Sequence, residues 1–216
     1  MNDLVKVSGM VLSASPVGDY DKRLVIETCE LGKITAFGRG ARRQGSPLLA
    51  AANPFVTGEF FVYPGRDSYR LVNAEIREYF RELTAAQPEV YIGFYFLDLI
   101  DYYGHESIDG RDMINLTYLA LKALLNPEID NRVVRAAFEL RLIAMNGDYY
   151  PDSDRMDEKL YRICAYITGA PIIKLFSFNL SPDMIKEVAA VSGKVCKNVI
   201  DRPLKSKSIM ESMITE

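Results

Sequence analysis

Apolar and β-branched residues crowd the first eighty positions in short runs, and the runs alternate with turn-forming residues. Leu4 to Ser13 is one such run, and Leu24 to Cys29 is another, with Leu24, Ile26 and Thr28 on one face. Glu30-Leu31-Gly32 turns the chain into Lys33 to Phe37, which predicts a hairpin. Phe55 to Tyr63 predicts a fourth strand, closed by the turn signal Pro64-Gly65-Arg66-Asp67, and Tyr69 to Ile76 a fifth. Five strands joined by short turns predict a small closed barrel, because closure removes exposed strand edges. Between strands three and four, Leu48 to Ala52 has room for a turn or two of helix, where an OB barrel carries one.

The period changes after Arg77. Gln87 to Tyr103 is apolar nearly all round, the pattern of a helix buried centrally in a bundle. Asp112 to Leu125 predicts a second helix, stopped by Asn126-Pro127. In Glu128 to Met145, Val134, Phe138, Leu142 and Met145 recur on one face of a third. Gly147 to Asp154 reads as a polar loop, Lys159 to Thr168 as a helix broken by Gly169-Ala170-Pro171, and Ile172 to Phe178 as extended or turn-like. Ser181-Pro182-Asp183 opens a last helix with an N-cap serine, a proline at the first position and an acid against the dipole. The fold class is therefore α+β: a five-stranded OB barrel over 1–80, followed by an all-α helical domain over 81–216.

Charge sharpens this division. The formal net charge of −3 hides +2 over residues 1–81, −8 over 82–160 and +3 over 161–216. Two basic ends around an acidic middle keep an anionic partner open. Cys29, Cys164 and Cys196 stand far apart, so neither a disulfide framework nor a zinc quartet is expected and a reducing cytosol is the natural setting. No apolar run approaches the ~18 residues of a membrane span, and the chain reads as soluble, unexported and cytoplasmic.

Enzyme chemistry lacks an inventory. His105 is the one histidine, in a Gly104-His105-Glu106 loop, where a solvated residue is the ordinary reading. Neither a Gly-x-Ser-x-Gly elbow, a Walker loop nor a His-Glu-x-x-His pair occurs. The acids Asp148, Asp152, Asp154 and Asp157 lack the alternation and terminal glutamate of a calcium loop and read as a solvated segment. No catalytic residue, metal ligand or cofactor is expected.

The informative stretch is Leu31 to Gly58, which holds Lys33, Arg39, Arg42 and Arg43 and no acid. A solvated surface loop is the ordinary reading of a short charge run, but solvated faces mix signs, so the missing acids shift the balance toward a polyanion. Glycines 38, 40 and 45 leave its backbone adaptable to a phosphate chain. If all four cations touch phosphates of a single strand, the log–log salt slope of binding is about −2.8. Arg66 in the following turn belongs to the same candidate set. Alternation sends some strand aromatics outward to stack bases, and Phe37 and Tyr69 are the candidates. Towards the C-terminus, Lys194, Lys197, Arg202, Lys205 and Lys207 face Asp201 alone. Helix-dipole compensation is one reading of them; a phosphate patch or a dock for an acidic tail is another.

The order of these elements resembles the RecO recombination mediators. The resemblance rests on Lys6-Val7-Ser8-Gly9-Met10-Val11-Leu12, Gly18-Asp19-Tyr20-Asp21 and Gly32 to Arg43, then Tyr63-Pro64-Gly65-Arg66. It continues through Phe138-Glu139-Leu140-Arg141-Leu142, Leu175-Phe176-Ser177-Phe178 and Arg202-Pro203-Leu204-Lys205-Ser206. Many members carry a four-cysteine zinc knob after the Phe-Glu-Leu-Arg-Leu helix; here Asp148 to Arg155 has no cysteine, so the knob is expected to be absent. The resemblance implies a protein without enzymatic activity that binds single- and double-stranded DNA and anneals complementary strands. It also implies cooperation with RecR and with the single-stranded-DNA-binding protein so that RecA can load. That protein's acidic, apolar-ended tail calls for a dock of cations beside an apolar pocket, near Arg132, Arg135, Lys194, Lys197 or Lys205. The alternative is a scaffold whose barrel binds protein rather than DNA.

Overall fold

Alternation along the first strands is strict enough to fix which side of each faces inward. The computed structural model describes residues 3–214. β1 (Val5–Val17), β2 (Asp21–Thr28), β3 (Gly32–Gly38), β4 (Thr57–Pro64) and β5 (Tyr69–Glu78) form a closed barrel in the order β1-β2-β3-β5-β4. β1 is long because it serves two neighbours: Val5 to Met10 pairs with β4, and Gly9 to Val17 pairs with β2. A bulge between Val11 and Ser13 bends it from one to the other. A short parallel pairing of β3 with β5, Ala36 to Gly38 against Tyr69 to Leu71, closes the ring. The interior is filled by Val7, Leu24, Ile26, Ile34, Phe60 and Val62, each at most 2% exposed. Between β3 and β4, α1 (Leu48–Ala51) lays Leu48 on this core with Ala52 beside it. This is the expected OB barrel; β1, β2 and β5 run a few residues beyond their apolar runs, while β4 begins at Thr57 rather than Phe55, whose φ of +71° takes it out of the strand.

The chain divides into two compact units. One takes the residues through Arg81 together with Leu97–Ile114; the other takes Glu82–Phe96 and the residues from Asn115 onward. Six longer helices follow the short α2 (Arg81–Ala85). They are α3 (Glu89–Tyr103), α4 (Arg111–Leu124), α5 (Asn131–Met145), α6 (Glu158–Gly169), α7 (Pro182–Val199) and α8 (Lys205–Ile214).

In the helical unit α5 is the spine. Val134, Phe138 and Leu142 are fully buried on it, and the Phe138 ring stacks on Phe96 with centroids 3.9 Å apart. Three helix starts have a chemical cause: Asp130 caps α5, Asp157 accepts from the backbone of Lys159 and Leu160 at α6, and Ser181 caps α7 ahead of Pro182. Asp152 likewise caps a 3-10 turn at Ser153–Arg155. Two acids of the Asp-rich loop thus serve as caps. Ile172–Lys174 is a second 3-10 turn, as the turn-like reading of that segment allowed. The separate α8 was not foreseen. Among the described residues no helix is long and apolar enough to cross a membrane.

Candidate functional site

Directly opposed residues of paired strands share a face, so register alone assembles a row across the barrel wall. Arg23 of β2 faces Phe37 of β3, Phe37 faces Arg70 of β5, and Arg70 faces Tyr63 of β4. Their neighbours Leu24, Ala36, Leu71 and Val62 are buried in the barrel, so this row points outward. The Arg70 guanidinium lies over the Tyr63 ring, 5.0 Å from its centroid, a cation–π contact that holds both side chains to the wall. At this end of the row is a cavity of about 640 Å³ lined by Asp21, Phe37, Arg39, Tyr63, Tyr69 and Arg70.

Tyr69 enters from the other side. It opposes Ala36 and Pro64, and its ring packs against the barrel core while also lining the cavity. Phe37 and Tyr69, the two rings expected as platforms, therefore meet in one cavity. Tyr63 completes the aromatic surface.

The basic loop after β3 is built as a fixed turn. Gly40 has φ +66°, a value that favours glycine, and its N–H donates to Asp21 Oδ1 over 2.8 Å. Ala41 is buried, and the Arg42 N–H donates to the Tyr20 carbonyl. The Arg42 guanidinium reaches the Gly18 and Asp19 carbonyls at 3.1 Å, while Arg43 lies over the Tyr20 ring at 4.7 Å. The adaptable backbone expected from three glycines is thus pinned against the β1–β2 turn, because the loop's hydrogen bonds and Ala41 are spoken for. Arg39, Arg42 and Arg43 all remain exposed on it. Arg66, at the tip of the β4–β5 turn, is nearly fully exposed, with Asp67 3.9 Å away.

Lys33 sits elsewhere. Its ammonium bonds the Asp101 carbonyl at 2.5 Å and pairs with the Asp101 carboxylate at 3.2 Å. It shares the outward side of β3 with Phe37 but is engaged by the end of α3. Arg70, Tyr63 and Arg23 are not among the expected residues, because their place beside Phe37 comes from strand register and not from any local charge pattern.

The C-terminal candidates divide by partner. Arg132 closes on Asp130, its own helix cap, with Nη2 2.6 Å from Oδ2. That pair raises the guanidinium's pKa and lowers the carboxyl's through the hydrogen bond between them. Arg135 is drawn into a buried network: its Nε bonds Glu139 at 2.8 Å and its guanidinium lies over the Tyr95 ring. Glu139 also accepts from Ser192. Burial pushes the nearby Cys196 thiol up to about 12, removing its thiolate character. Lys194 and Lys197 are exposed on α7, and Lys197 suits the C-terminal dipole of that helix. Lys205 and Lys207 open α8 instead, at the end of a dipole that repels cations, so dipole compensation does not account for them. A second cavity of about 300 Å³ in this unit brings Arg202 and Lys207, with one acid, Glu211, beside Ile200, Pro203 and Leu204.

Residues 1–80 match the family described as "Recombination protein O N terminal". "DNA repair protein RecO" of Alkaliphilus metalliredigens is 33% identical over 144 residues, which is 67% of this chain and 58% of that protein. The protein of the same name from Exiguobacterium is 28% identical over 144 residues, and the chain spans 57% of its length. With that of Acetivibrio thermocellus, 22% identity extends over 92% of both chains. By its OB barrel, by the family that barrel matches and by an alignment running nearly end to end, the chain belongs to the RecO family.

Proposed function

We propose that this chain is a DNA-repair and recombination mediator. On this reading it binds single- and double-stranded DNA, anneals complementary strands, and acts with RecR to let RecA load on DNA coated by single-stranded-DNA-binding protein. The observation that carries the reading is the arginine-rimmed aromatic cavity beside the exposed Arg39, Arg42 and Arg43. Annealing asks for cations that relieve repulsion between two phosphate chains without reading sequence. Fixed arginines supply those cations; Phe37, Tyr63 and Tyr69 supply π-faces for unpaired bases. The names of the relatives, which place them in DNA repair, support the same reading. So does the second cavity, whose cations and apolar walls suit an acidic, apolar-ended peptide tail.

Stacking is worth roughly 1–3 kcal/mol per base, and a base inside a duplex has no free face to offer. The double variant Phe37→Ala/Tyr63→Ala is therefore expected to lose about tenfold or more in affinity for a labelled single-stranded oligonucleotide. Its affinity for a duplex of equal length stays near that of the parent. Equal losses on both substrates, or none on either, would remove the cavity from the binding surface.

A further inference from the structure

Glu27 is fully buried, and neither carboxyl oxygen has a hydrogen-bond partner among the described residues. It opposes Lys33 across the β2–β3 hairpin, on the outward side of the barrel wall. Its burial comes from a cover. The segment from Gly104 to Gly110, between α3 and α4, lies over it so closely that a methyl group at either glycine would collide with a Glu27 oxygen. Three backbone bonds hold the cover down: Lys33 N–H to the His105 carbonyl at 3.0 Å, Ser107 N–H to Leu31 at 2.8 Å, and Gly110 N–H to Thr28 at 3.1 Å.

A carboxylate sealed without donors is untenable in so dry a place, whereas a neutral carboxylic acid is tolerated. The charged groups around it do not rescue the anion. Lys33 from β3 favours the charge but is bonded to Asp101, and Asp101 from α3 opposes it. β1 brings only Gly9 and Met10 alongside Glu27. The cover's own His105, Glu106 and Asp109 are exposed to solvent. Burial accordingly pushes the Glu27 carboxyl up from 4.5 to about 8.

We propose that Glu27 is a proton-bearing latch: as a neutral acid it lets the Gly104–Gly110 segment close on the hairpin, and loss of its proton to water forces that segment open. This inference stands apart from the nucleic-acid reading. At low pH the acid is neutral whether the segment is open or closed, so closure carries no charge penalty. Above about 4.5 the open form ionises first and opening is favoured progressively, until the closed form also ionises near 8.

Amide hydrogen exchange on the full chain tests this, read at Lys33, Ser107 and Gly110 and corrected for intrinsic exchange. The opening equilibrium at these amides is expected to rise about tenfold per pH unit between pH 5 and 8. Strand amides of the barrel stay more protected, and Glu27→Gln, which keeps the shape without the charge, flattens the rise. A pH-independent equilibrium in the parent, an unchanged slope in Glu27→Gln, or cover amides that open only together with the strands would each overturn the latch. A carbon-13 titration of the Glu27 carboxyl in the parent protein decides it independently of any variant. A midpoint far above ordinary carboxylates supports the latch, and an ordinary midpoint refutes it.

Discussion

Reversing Arg39, Arg42 and Arg43 to glutamate is expected to remove most of the chain's affinity for single-stranded DNA. Each cation that neutralises a phosphate adds about 0.7 to the salt slope, so losing three lowers it by about 2 and weakens binding about fiftyfold at physiological salt. The three introduced negative charges deepen the loss further. The fold tolerates the change, because all three side chains are exposed. What is lost structurally is the pair of Arg42 contacts to the Gly18 and Asp19 carbonyls and the Arg43–Tyr20 stack, about 1 kcal/mol together, or a few degrees in Tm. Lys33→Gln serves as the contrast. Its ammonium is held by Asp101, so DNA affinity is expected to stay near the parent's. Fluorescence anisotropy read beside a thermal melt separates the two outcomes: a triple variant that melts normally yet binds as the parent does would exclude the loop.

The largest effect on stability is expected in the helical unit, from Glu139→Ala. Glu139 is 2% exposed and holds both Arg135 and the buried Ser192 hydroxyl. Removing the acid takes the close partner from a guanidinium that is itself only a quarter exposed over the Tyr95 ring, leaving it Glu211 at 3.9 Å. Breaking one side of a buried pair costs roughly 3–5 kcal/mol, a drop on the order of 10 °C in Tm for a chain of this size. Glu139→Gln, which can still accept from Ser192, falls by less. A change of under 1 kcal/mol in the alanine variant would mean that the network contributes little.

What the sequence made legible follows from how local each determinant is. The barrel strands announced themselves through alternation, since Leu24, Ile26, Ile34 and Ala36 repeat every second position. The starts of α6 and α7 could be found from Asp157 and Ser181, whose side chains act within three residues. The exposed arginines were visible as a run without acids. Nonlocal pairing was not visible. Arg70 lies about thirty residues from that run and joins it only through the parallel β3–β5 register. Lys33 looks identical to its neighbours until α3 brings Asp101 to it. Glu27 lies on the face of β2 opposite Leu24 and Ile26, and the glycines that close over it, Gly104 and Gly110, come from a segment far along the chain. α8 escaped because its mixed sequence buries just Met210. The sequence pattern thus reports each strand's faces but not what later covers them.

The most direct measurement is the affinity of the purified chain for a labelled single strand across a salt series. Arg39, Arg42, Arg43, Arg66 and Arg70 displacing counterions together predict a log–log slope near −3.5. Affinity that ignores salt, or no binding at any salt, would contradict the account and turn the barrel into a protein-binding scaffold.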